Sequence, residues 1–185
     1  MLETAIVNLL INQQKYTELD QAKIRYGVRI IVSELYKFVL IYGIALLLGS
    51  VLPTFVTHMT FYVLRQKAFG YHFASARSCI FWSIVAFPVL SGLLVAFPQP
   101  LWLVGIIGTL SVMVIFLFAP VDTEKHQIVN KKHYLYLRRH LRIRLLAVLF
   151  VFCVVSEPIQ SFIILGLFIQ STTVLVQKLM RRDVR

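Results

Sequence analysis

Apolar and polar positions alternate on a long scale along this chain. Nearly uninterrupted apolar runs occupy 79–97, 101–119, 145–156 and 159–176. A helix needs about 20 apolar residues to cross a bilayer, so the first two runs span unaided and the last two do so by sharing a turn at Glu157-Pro158. Residues 28–64 hold another apolar stretch, interrupted by Gly49, Ser50 and Pro53, which predicts a helical hairpin or a re-entrant pair. Residues 1–27 are mixed: Leu2, Ile6, Leu9 and Leu10 recur at helical spacing among Glu3, Asn8, Gln13 and Lys15. That pattern predicts an interfacial amphipathic helix. The expected architecture is all-α: a single polytopic membrane domain of about six transmembrane or re-entrant helices, preceded by that amphipathic helix.

Composition agrees with the pattern, since 58% of the 185 residues are hydrophobic and 15% charged, far from the balance of soluble domains. The formal charge of +11 falls between the apolar runs, so it reads as topology and contact with anionic lipids, with no role for nucleic acid. Segment 120–144 carries seven basic residues and is expected as a cytoplasmic loop. The positive-inside rule then puts both termini and Arg65, Lys67 and Arg77 in the cytoplasm, in the cell membrane. Two cysteines, Cys79 and Cys153, cannot build a disulfide framework. The start of the chain has no charged, apolar and small-residue pattern of a cleavable signal.

Several intramembrane chemistries fail for want of residues. The aspartates Asp20, Asp122 and Asp183 lie outside the apolar runs and form no acid pair. No His-Glu dipeptide starts a zinc-protease helix motif. His126, His133 and His140 recur every seven residues, about 10 Å apart along a helix, too far for one metal ion. They are expected as loop residues, and no metal or other cofactor is expected.

What remains is the stretch 65–83, at the cytoplasmic mouth of the span 79–97. There His72 and Cys79 share an amphipathic boundary, where water reaches a site bordered by low dielectric. The thiolate is the nucleophile, and a neighbouring imidazole or a helix N-terminus favours it. With Ser78 as N-cap, Cys79 would fall in the first helical turn. On one continuous helix His72 and Cys79 would sit two turns apart, so a Cys-His pair requires the chain to break between them, near Gly70 and Ser75. Cys153, among Phe152, Val154 and Val155, is expected as inert packing. From these residues alone the pair is a weak signal, and an interfacial histidine beside a buried thiol is the favoured reading.

The segment 65–83 resembles the signature of the accessory gene regulator B family of membrane proteases. Arg65, Gly70, His72, Cys79 and Ser83 match that family's order and spacing, with Phe69 standing where many members have a first glycine. A second block, 119–123, is similar to the family's Ala-Pro-Val-Asp-Thr segment. The resemblance implies a cysteine endopeptidase with Cys79 as nucleophile and His72 as base. Its substrate would be a propeptide of the AgrD type, which has an amphipathic leader and an acidic C-terminal tail. The enzyme would cut core from tail through a thioester and promote closure of a thiolactone or lactone, giving a quorum-sensing autoinducing peptide. Arg65 would orient the substrate, stabilise the oxyanion or support the site. Gly70, Ser75 and Ser83 are supporting candidates, and Asp122 is expected to cap a loop helix. Lys125, Lys131 and Lys132 would meet the acidic tail, and the family implies a homodimer. The competing class is a small non-enzymatic transporter or scaffold in which the Cys-His pair is incidental. A membrane acyltransferase is disfavoured, because two cysteines cannot supply the zinc-holding region such enzymes display.

Overall fold

A computed structural model describes residues 7, 9, 16–73, 75–123 and 130–182. Among these residues the fold is all-α, with no strand. The first helix, α1 (Glu18–Leu47), is capped by Thr17, whose side chain accepts from the Asp20 amide, and it carries Glu18 and Asp20 in its first turn. Both features suit the positive end of a helix. It stops at Gly49, where φ is +63°, a conformation glycine adopts without penalty. Then come α2 (Val51–Ala68), α3 (Ala76–Ile84), a π-helical turn at Val85–Val89 around Pro88, and α4 (Leu90–Ala96). They are followed by α5 (Leu101–Phe118), α6 (Lys131–Val154) and α7 (Glu157–Arg182).

Four stretches are long and apolar enough to cross a membrane: Glu18–Leu47, Ala76–Ala96, Leu101–Phe118 and Glu157–Met180. The expected count of six is not reached by length and composition, and the physical reasons differ. α2 turns Thr54, Thr57 and Thr60 inward, where Ser91 donates to Thr57 and Thr57 to the Phe162 carbonyl. α6 spends its first half on lysine and arginine.

Two expected boundaries shift. Glu18–Leu47 is one helix, so no break separates 1–27 from 28–64; of the expected amphipathic helix, most of residues 1–15 lies outside the described residues. Nor is 120–144 a loop throughout: Leu137, Leu141 and Leu145 bury one helical stripe, Arg139 and Arg142 face outward, and Arg144 donates to the Val63 carbonyl of α2. His133 and His140 therefore lie on α6, each against Tyr136, and His126 falls outside the described residues. The cap of this helix is Asn130, whose side chain accepts from Lys132, and not Asp122. Between α6 and α7, Gln160 donates to the carbonyls of Phe152 and Val155 and so covers the exposed end of α6.

Helix α7 is the centre of the bundle, with 56% of its apolar window buried against 11% to 22% for the other three spans. Leu64 and Ala68 of α2, Ile115 of α5, Leu141 and Leu145 of α6, and Ile163, Leu167 and Val174 of α7 form the core. Gly166 lets α7 approach α2 closely, since a Cβ there would lie 2.7 Å from the Thr57 carbonyl oxygen. By contrast α3 has no fully buried residue. The candidate nucleophile thus sits on a peripheral helix, tied to a rigid centre by the segment that precedes it.

Candidate active site

The segment joining α2 to α3 is non-helical from Phe69 to Ser75, with Ala74 outside the described residues. It leaves α2 through two residues of positive φ, Phe69 at +56° and Gly70 at +129°. Phe69 occupies, at a steric cost, backbone space that L side chains avoid. Gly70 is required by crowding as well as by its dihedral angle. A Cβ there would lie 2.6 Å from the Arg65 guanidinium and 2.8 Å from the Thr173 hydroxyl.

Arg65 works on backbone. Its guanidinium donates to the carbonyls of Phe69 (3.1 Å) and Tyr71 (2.6 Å) and to the Thr173 hydroxyl (3.1 Å), with Phe61 beneath it. Burial pushes Arg65 down to about 10, with Cys79 acting in the opposite direction, so it remains a cation at neutral pH. From α7, Gln170 donates to the same Phe69 carbonyl at 2.7 Å, and the Tyr71 amide donates to the Thr173 carbonyl at 2.9 Å. The sequence reading missed Gln170 and Thr173. Their only sequence signal is polarity in the second half of an apolar run, which a helix leaving the membrane would also show.

His72 follows this clasp and is exposed. Its Nδ1 lies 3.0 Å from the Phe73 carbonyl, and a proton there would make Nε2 the basic nitrogen. Phe73 stacks on Trp82 at 5.9 Å and 6°, which pins the histidine-bearing segment to the cysteine-bearing helix. The N-cap of α3 is Ser75, not Ser78: its Oγ accepts from the Ser78 amide and donates to the Ser78 hydroxyl. The Cys79 amide is already in the helical ladder, donating to the Ser75 carbonyl. Cys79 is half-buried, one turn into a helix whose positive end faces the segment carrying His72. Among the described residues no hydrogen bond joins Cys79 to His72 or to Ser83; catalytic contacts of this kind often tighten only with substrate bound. Cys153 is exposed on the last turn of α6 and is not interior packing.

The second block meets the first. Val121 donates to the carbonyl of Ala68, the last residue of α2, and Gln177 of α7 donates to the Asp122 carbonyl. Beyond it opens a cleft of about 220 Å³ lined by Pro120, Asp122, Asn130, Lys131 and Tyr134. Lys132 is exposed beside it, while Lys125 falls outside the described residues.

A family model described as Accessory gene regulator B matches residues 3–174. The chain belongs to that family. It is 31% identical over 167 residues to accessory gene regulator protein B of Staphylococcus intermedius, covering 88% of this chain and 86% of the relative. An AgrB-like protein of Listeria monocytogenes serotype 4a is 29% identical, with 100% and 93% covered. The accessory gene regulator protein B of Staphylococcus aureus strain Newman is 29% identical, with 93% and 92% covered. No solved structure matches. Membership in the accessory gene regulator B family implies a part in the accessory gene regulator quorum-sensing system.

Proposed function

We propose that the protein is a membrane cysteine endopeptidase that removes the acidic tail of an AgrD-like propeptide and promotes its cyclisation. The observation that carries this reading is the break between α2 and α3. It puts His72 on an exposed extended segment and Cys79 one turn into the following helix, and the Phe73–Trp82 stack ties the two elements together.

His72 Nε2 takes the Cys79 thiol proton as Sγ attacks the carbonyl carbon joining core to tail. The tetrahedral intermediate collapses as the C–N bond breaks, and the imidazolium returns its proton to the leaving amine. The tail departs with a free amino end, leaving the propeptide's leader and core as a thioester on Cys79. The propeptide's own thiol or hydroxyl then attacks that thioester, its proton passing through His72 to the departing Cys79 sulfur. Ring closure by thiol exchanges one thioester for another, so its outcome depends on holding the chain ends together and keeping water out.

Lys131 and the exposed Lys132, at the cleft beside the Ala119–Asp122 block, suit an acidic tail, as does Lys125 by its place in the sequence. The same basic concentration supports a cytoplasmic position for this end of the bundle and for the site. The test is intact mass spectrometry of purified protein mixed with a propeptide. Wild type is expected to carry leader plus core on Cys79 and to release free tail, and Cys79→Ala to do neither. Well-folded protein that forms no adduct and releases no tail would instead support a transporter or scaffold.

A further inference from the structure

Phe69 holds a glycine-like conformation, φ +56° and ψ −145°, and a non-glycine residue stays there only when its surroundings over-determine it. Those surroundings are mostly helix α7. The Phe69 carbonyl accepts from Arg65 and from Gln170, while Thr173 receives the Arg65 guanidinium on its hydroxyl and the Tyr71 amide on its carbonyl. The Thr173 hydroxyl in turn donates to the Gln170 carbonyl. Gln170 is fully buried, and its Oε1 has no partner among the described residues. Burying an amide that satisfies only one end is costly, and the hydrogen bond it keeps is the one to Phe69. His72 is three residues downstream of that carbonyl, and the stacked Phe73 immediately follows it.

We propose that Gln170 and Thr173 are positioning residues of the Cys79–His72 site, acting from α7 by holding the Phe69–Tyr71 turn and thereby setting where His72 stands relative to Cys79. They touch no reacting atom. The claim rests on the protease reading for its role in catalysis, but not for its geometry.

The test uses full-length protein in detergent with Cys153→Ala as background, so that Cys79 is the only thiol. Two readouts are taken: the rate at which iodoacetamide alkylates Cys79 at neutral pH, and kcat and KM for propeptide cleavage. Thr173→Val, which keeps the shape and loses the hydroxyl, and Gln170→Met are expected to lower kcat about tenfold or more with KM within about twofold, the pattern of a displaced catalytic group. Thr173→Ser is expected to restore both readouts. In a double-mutant cycle, His72→Ala slows alkylation in the background but has little further effect once Thr173→Val is present. Gln170→Asn retains a buried amide but withdraws it from Phe69; it is expected to behave like Gln170→Met and serves if that variant does not assemble.

Variants matching the background in kcat and in their response to His72→Ala would overturn the positioning role and leave the protease reading standing. If the background cleaves no propeptide while Thr173→Val still abolishes the effect of His72→Ala on alkylation, the positioning role holds and the protease reading falls.

Discussion

Adjacent residues at the end of α2 make opposite demands on substitution. Gly70 has no room for a side chain, so Gly70→Ala forces a Cβ into the Arg65 and Thr173 contacts at a backbone angle that disfavours it. We expect a loss of about 1–3 kcal/mol in unfolding measured in detergent, together with loss of propeptide cleavage. Phe69 is strained at φ +56°, and Phe69→Gly relieves that strain. It is expected to keep cleavage within a fewfold of wild type, because the carbonyl that Arg65 and Gln170 grip is backbone. On the proposed mechanism, His72→Ala is expected to lower kcat by about 10²–10⁴, as loss of a general base does. Arg65, Gly70, His72 and Cys79 stand out in the sequence as one candidate block because their spacing is local. Thr173 and Gln170 do not, since each reaches the site across more than a hundred residues, and a polar residue late in an apolar run looks the same whether it faces headgroups or a turn.

Among the elements, α3 depends most on its N-terminus. None of its residues is fully buried and it runs on through the π-helical turn into α4, so the Ser75 cap holds its free end. Ser75→Ala removes the acceptor for the Ser78 amide and is expected to cost about 1 kcal/mol. Limited trypsin digestion checks this: cleavage after the exposed Arg77 should quicken, while cleavage in α6 should not. Ala76–Ala96, Leu101–Phe118 and Glu157–Met180 could be read from hydropathy because that signal is strong per residue. The basic half of α6 reads as a loop in the sequence because its charges outnumber the buried stripe Leu137, Leu141 and Leu145. α1 was divided at residue 27 because its polar beginning and apolar end ask for different surroundings, whereas the backbone ladder needs no such change.

For the whole molecule, the two close helix-to-helix approaches at the central helix differ in kind. At Gly166 a Cβ meets the α2 backbone, the Thr57 carbonyl oxygen at 2.7 Å; at Gly108 it meets the tip of the Ile164 side chain at 2.6 Å. Backbone cannot step aside, whereas a terminal methyl can. Gly166→Ala is therefore expected to destabilise by about 1–3 kcal/mol and Gly108→Ala by less than about 1 kcal/mol, compared by unfolding in detergent. One face of α7, from Gly166 through Gln170 and Thr173 to Gln177, lies against α2, the Phe69–Tyr71 turn and the Asp122 carbonyl in succession. Ribosomes make that face after all the elements it organises. On the positioning role proposed above, a nascent chain that already carries His72 and Cys79 still lacks the rail that seats them, and is expected to cleave no propeptide until its last described helix is inserted.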